Sequence, residues 1–231
     1  MRAMNPRNRL RALGALPLLA ASVLAASVLA GTAFAQYPSR PIRMIVPVSP
    51  GGAPDIVARL IGERLAPLLG QPLVAESRAG SGGNIAMELA ARAAPDGYTL
   101  IICYDAMVVV NPHMYAKMAI DPLKDLVPVA PVAVAHSLFL VANPSLPVRN
   151  LQEFIDYARK ANPPLAFASG GIGSQHQLAM ELLKSRAGIN LLHVPYKGGA
   201  PAATAVIAGE VPVMFAGSVN IPQMQIGRAH V

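Results

Sequence analysis

The chain has 231 residues with 19 Lys and Arg against 12 Asp and Glu, a formal charge of +7; Arg2, Arg7, Arg9 and Arg11 precede Ala35 with no acid among them, so the remainder carries fifteen cations against twelve acids. Such a weak balance, with no Trp and 5% aromatics, lacks the clustered cations and stacking platforms of a nucleic-acid binder. Hydrophobic residues at 53% exclude disorder, and the single cysteine, Cys103, excludes internal disulfides and cysteine-rich zinc sites.

The N-terminal residues read as an export signal. Basic residues 2–11 lead into an apolar run, residues 12–30, and Ala33-Phe34-Ala35 forms a small-x-small cleavage site before Gln36. The run approaches the length of a membrane span, but Pro17 shortens its helical stretch, so residues 1–35 are expected to be cleaved and the mature protein to be exported.

From residue 43 the chain alternates short β-branched runs, Gly-rich turns and helix-like stretches, the pattern of an α/β protein. A strand over 43–48 leads through Gly51 and Gly52 into a helix over 54–69, punctuated by Pro54, Asp55 and Gly70, with Ile56, Leu60, Leu65 and Leu68 as its expected buried face. A second strand, 73–76, leads through Ser81, Gly82 and Gly83 into a helix over 84–94, and a third strand over 99–104 places Cys103 in the core. Residues 127–141 lack any charged side chain and are expected to be strands crossing the interior, with the change of domain there. A helix over 151–161 precedes a strand at 165–168, a loop at 169–174 and a helix at 175–187. A strand at 191–194, a loop at 195–199, a helix at 200–208 and a strand at 211–215 complete the pattern.

In such sheets ligands sit beyond the carboxyl ends of the strands, where helix N-termini offer unpaired N–H groups and glycine permits close approach. A single glycine loop reads more simply as a tight turn, but four of them between strand and helix point to a site, and the natural ligand of such amides is an anion. Asp55 suits a local backbone role better than an anion site, with pairing to a ligand ammonium as the alternative. Nucleotide motifs fail: no P-loop occurs, and the run from Gly80 to Ile85 lacks the last glycine of the dinucleotide fingerprint, although Glu76 stands where a ribose-binding acid would. Ser174 and His176 are two apart on a helix and face different ways, so Ser174 reads as an N-cap with Gln177 completing a capping box. His113, His136 and His193 show no metal-ligand spacing, and Lys197 could equally supply a cation to the cleft or be a solvated loop residue.

In order and spacing, several short pieces resemble one known family. They are residues 37–42 (YPSRPI), 50–55 (PGGAPD), 80–83 (GSGG), 95–100 (PDGYTL), 121–125 (DPLKD), 171–174 (GIGS) and 193–199 (HVPYKGG), with Asn111-Pro112 between. The family is that of the substrate-binding proteins of tripartite tricarboxylate transporters, the Bug-type receptors. The resemblance implies an α/β, two-lobed periplasmic-binding-protein fold of type II. It implies capture of a small organic carboxylate for delivery to membrane permease subunits, by a full-length monomer with no cofactor, metal, catalytic residue or nucleic-acid partner. Ligand-binding positions carried over from it are Gly51, Gly52, Asp55, Ser81, Gly82, Gly83, Ser169, Gly171 and Ser174. Family members often have His where Gln177 stands, so His176 receives no role. Family chains also continue beyond a strand like 211–215, which implies a first lobe over 36–135 lacking its C-terminal return and an incomplete second lobe over 136–225. Residues 226–231 fit neither the α/β rhythm nor the family and read as a translated library adapter. The competing class is an exported α/β hydrolase or transferase using Ser174 or Lys197 in the same cleft.

Overall fold

The computed structural model describes residues 37–134 and 137–226; the expected export signal, residues 135 and 136, and the tail from residue 227 lie outside them. Of the described residues, Tyr37–Ser39 fall in one unit, and those from Arg40 on form another, with two sheets.

The first sheet holds β1 (Ile42–Val46) between β2 (Leu73–Ser77) and β3 (Thr99–Ile101), all parallel. β1 pairs Ile42 with Leu73 through Val46 with Ser77 on one side, and Arg43 with Thr99 through Ile45 with Ile101 on the other. Helix α1 (Ala53–Leu69) and helix α2 (Asn84–Ala91) make the crossovers. Met44, Val46 and Val48 alternate onto one face with Ala58 and Ile102, and Ile45 is fully buried on the other. Short helices α3 (Asn111–Met114) and α4 (Pro122–Asp125) follow.

The second sheet has the order β4-β7-β5-β6, built from β4 (Leu138–Ala142), β5 (Leu165–Ser169), β6 (Leu191–Pro195) and β7 (Val213–Gly217). Only β4 runs antiparallel to its neighbour. Helix α5 (Leu151–Lys160) and helix α6 (Gln175–Ala187) contribute Phe154, Ala158 and Met180 to one face of the sheet. Helix α7 (Gly199–Ala208) contributes Ala202, Ala203 and Val206 to the other, and α8 (Ile221–Ile226) adds Met224. Phe167 and Val213 face the first cluster, Ala168 and Met214 the second, the two-residue period of strands buried on both sides.

Three expectations are corrected. The buried residues of α1 are Asp55, Ala58 and Gly62, whereas Leu60 and Leu68 are 56% and 79% exposed. The helix lies too close to β2 for leucine: a Cβ added at Gly62 would meet the Leu73 carbonyl oxygen at 3.3 Å. Residues 127–134 form no strand and are exposed, with Val127 at 86%; Pro128 and Pro131 lack the N–H that a central strand needs, and the regular strand begins only at Leu138. Cys103 lies beyond the end of β3 and is exposed, not core, although crowding around its sulfur pushes the thiol up to about 11.

The corrected face of α1 sets an expected outcome. Ala58→Leu overpacks the contact and lowers unfolding free energy by about 1–3 kcal/mol, whereas Leu68→Gln stays within about 0.5 kcal/mol, both read from urea unfolding midpoints.

Candidate functional site

Parallel strands deliver all their carboxyl ends to one edge, so the loops after β1, β2 and β3 leave the first sheet together, as do those after β5 and β6 from the second. The two sets of loops face each other around a cavity of about 190 Å³. This is below the roughly 300–1,000 Å³ of sites for drug-sized ligands, and suits a molecule of a few carbons.

The first wall is a left-handed turn. Gly80, Ser81, Gly82 and Gly83 have φ of 140, 47, 60 and 93° in succession. Three are glycine, for which this region carries no Cβ penalty; Ser81 bears the strain of a side chain there. The turn is pinned at one atom, the Gly82 carbonyl oxygen, which accepts from the Tyr104 hydroxyl at 2.9 Å and from Asn111 Nδ2 at 2.9 Å. The second Nδ2 hydrogen of Asn111 goes to Asn84 Oδ1 at 2.7 Å. Burial, with smaller contributions from Tyr115 and others, pushes the Tyr104 phenol well above its ordinary value, so it stays a donor. Gly83 backs onto Met107, whose Sδ would lie 2.8 Å from an added Cβ.

The second wall hangs on Ser169, which is fully buried at the end of β5. Its Oγ accepts the Gly171 N–H at 3.1 Å and lies 2.6 Å from His193 Nε2. Burial lowers the His193 pKa, Lys184 adds to the lowering and Glu181 opposes it. The same Oγ lies 3.2 Å from the Gly171 carbonyl oxygen, to which it can donate, and the His193 ring stacks on Phe167 at 4.9 Å. Ser174 caps α6 by accepting the Gln177 N–H at 3.4 Å. Gln177 Oε1 reaches back to the Gly173 N–H at 2.8 Å, one residue before the position a capping box uses.

Behind this wall His176 is wedged between two glycines. A Cβ on Gly170 would lie 2.9 Å from its Nδ1, and one on Gly199 would lie 3.3 Å from its Cε1. Nδ1 is buried without a hydrogen-bond partner, and burial pushes the imidazole down to about 4.

The lining carries no acid, and Lys197 is its one charged residue among the described residues. Among those residues, too, the N–H groups of Gly170, Ile172 and Gly198 donate to no protein acceptor. The N-terminus of α7 begins at Gly199, so partial positive charge gathers at the cavity. The two walls also touch. Ser49 donates to the Lys197 carbonyl from its N–H at 3.0 Å and its Oγ at 2.8 Å, and the Tyr115 hydroxyl reaches the Ile172 carbonyl at 3.4 Å.

Of the nine positions singled out in the sequence, Ser81, Gly82, Gly83 and Gly171 line the cavity. Ser169 and Ser174 stand behind Gly171 and fix its loop. Gly51, Gly52 and Asp55 form the start of α1 outside the lining. The Asp55 carboxylate is consumed locally, accepting from the Gly51 N–H at 3.0 Å and from Arg59 Nε at 3.0 and 3.1 Å. Burial alone would raise its pKa, but Arg59 and the Gly51 amide outweigh it and leave the carboxyl below its ordinary value. Glu76, the residue a ribose would need, is bonded by Arg43 and Arg78. Among the described residues no cluster of side chains could hold a metal ion. Sequence reasoning missed Tyr104, Asn111 and Tyr115 as parts of the site; Asn111-Pro112 was available as a short motif, but nothing local tied it to Gly82, 29 positions earlier.

The match to the tripartite tricarboxylate transporter family receptor extends over residues 57–230. The chain belongs to that receptor family. It is 39% identical over 215 residues to a UPF0065 protein of Bordetella pertussis, covering 92% of this chain and 63% of that relative. It is 40% identical to BugT of the same organism over 76% of this chain and 54% of the relative. Among solved structures, a Rhodopseudomonas palustris protein with adipate superposes with a TM-score of 0.79 at 34% identity, covering 84% of this chain and 65% of that one. MatC of the same species, with bound malate, gives 0.76 at 33%, covering 84% and 66%. The periplasmic binding protein BugD gives 0.75 at 31%, covering 84% and 64%. The fold is thus that of the two-lobed periplasmic binding proteins, and the chain spans somewhat less than two thirds of the length of these relatives.

The buried imidazole gives the protein an acid limb with a definite sign. Between an ordinary pKa of 6.5 and its folded value of about 4, His176 is protonated in the unfolded chain but not in the folded one. Stability is then intact above about pH 6.5 and falls with decreasing pH, by about 3 kcal/mol once pH is below 4. His176→Leu is expected to flatten this slope in chemical denaturation at a series of pH values.

Proposed function

We propose that this receptor captures a small organic carboxylate between its two lobes in the periplasm and hands it to the membrane permease subunits of a tripartite transporter. The observation that carries this reading is the lining itself: glycine amides without protein acceptors, a helix N-terminus, one lysine and no acid, around a volume that fits a molecule of a few carbons. That adipate and malate occupy the cited relatives agrees with it. The ligand is bound, not transformed. Ser174 is 7% exposed and engaged as a helix cap, and no histidine among the described residues bonds to it. Ser169 does have a histidine partner, but it has no exposed surface from which to attack a substrate.

A thermal-shift screen with C4 to C6 carboxylates tests the reading. A receptor gains about 2.7 kcal/mol of stability at a hundred times its Kd, leaves the ligand intact over hours, and keeps both properties in Ser174→Ala; consumption of the ligand would instead favour a hydrolase or transferase. Gly82→Ala places a Cβ 2.7 Å from the Tyr115 hydroxyl and 2.9 Å from the Ile172 carbonyl oxygen. It is expected to weaken binding more than about tenfold, because the clash falls where the lobes meet.

A further inference from the structure

Of the side-chain hydrogen bonds that cross the cleft among the described residues, one is made entirely by residues outside the cavity lining. Asp105 follows β3, on the first-sheet side, and is exposed. Its Oδ1 accepts the Ala106 N–H at 2.8 Å, which fixes the carboxylate at the rim. Gln175 is the first residue of α6, on the second-sheet side, and its Nε2 lies 2.8 Å from both Asp105 oxygens. The acid of one lobe therefore sits at the N-terminal end of a thirteen-residue helix in the other, where negative charge is favoured. Neither residue lines the cavity, whereas Tyr115, Ile172 and Lys197, in the other two pairs joined by side-chain hydrogen bonds across the cleft among the described residues, do.

We propose that Asp105 and Gln175 are a latch, a pair of positioning residues that hold the lobes together without touching the ligand and so set how long any ligand stays. The proposal rests on the carboxylate-receptor reading. The pair exists only when the lobes meet, and the ligand is enclosed only then, so each favours the other through the closed population. A latch of this kind scales the affinity of every ligand by one factor, because apparent Kd is the intrinsic value divided by the closed fraction. It leaves the order of preference among ligands to the residues of the lining.

The test is a comparison of wild type, Gln175→Ala, Asp105→Asn and the double variant by calorimetry and stopped-flow with succinate, malate and adipate, and by small-angle scattering without ligand. Asp105→Asn keeps an acceptor for the Ala106 N–H, so the local turn survives. The expected result is a loss of about tenfold in Gln175→Ala that is the same for every ligand bound, appears in the dissociation rate, and is smaller when Asp105 is already Asn. The ligand-free radius of gyration rises in the same variants. A changed order among the three ligands would make Gln175 a contact residue, and additive effects in the double variant would mean that the pair is not coupled; either overturns the latch. If wild type binds none of the three, the carboxylate reading fails on its own, and the latch stands or falls on whether Gln175→Ala enlarges the ligand-free particle.

Discussion

The site depends on one carbonyl oxygen. Gly82 C=O accepts from both Tyr104 and Asn111, which saturates its two lone pairs and fixes a turn with four successive positive φ angles. With that oxygen held, the Cα of Gly82 comes close to the Tyr115 hydroxyl and the Ile172 carbonyl, so closely that no side chain fits. Turn geometry, cavity wall and lobe contact thus share a single anchor. The anchor has a cost: Asn111 spends both amide hydrogens there and on Asn84, and its Oδ1 is left buried without a donor.

The opposite wall solves the same problem with a hydroxyl. Ser169 can both donate and accept, so one buried oxygen ties the Gly171 amide to the His193 ring on the neighbouring strand. The pairing of β5 with β6 brings them together, since Phe167 stands opposite His193 and Ser169, two residues on, shares the face of Phe167. Side chains here support backbone, and backbone faces the cavity. Such a wall is positive without being basic, because the charge comes from amides and helix ends, with Lys197 as the one lining cation among the described residues.

The two walls and the contacts between them are built from different groups. The lining shapes the cavity, and the hydrogen bonds from the Ser49 N–H and Oγ to the Lys197 carbonyl hold one wall against the other. The 17-residue α1, with Ala58 and Gly62 against the sheet, gives the first wall a stiff backing that leucines at those positions would push away.

Much of this was legible in the sequence because it is local. Gly70 and Gly188 end their helices in left-handed conformations, Ser174 begins one, and the glycine loops fall between strand and helix as read. These depend on φ angles and hydrogen bonds within a few residues, which residue type controls directly. The buried face of α1, the exposure of residues 127–134 and the position of Cys103 did not follow from hydrophobicity, because they depend on how closely a neighbouring element packs and where a strand finds a partner. Nor did the site's polar bonds: Asn111 to Gly82 spans 29 positions, Ser169 to His193 spans 24 and Gln175 to Asp105 spans 70. The sequence determined that Gly-rich turns would sit at the ends of parallel strands. Only the tertiary structure decided which side chains reach those turns, since strand order and register set distances that no local preference encodes.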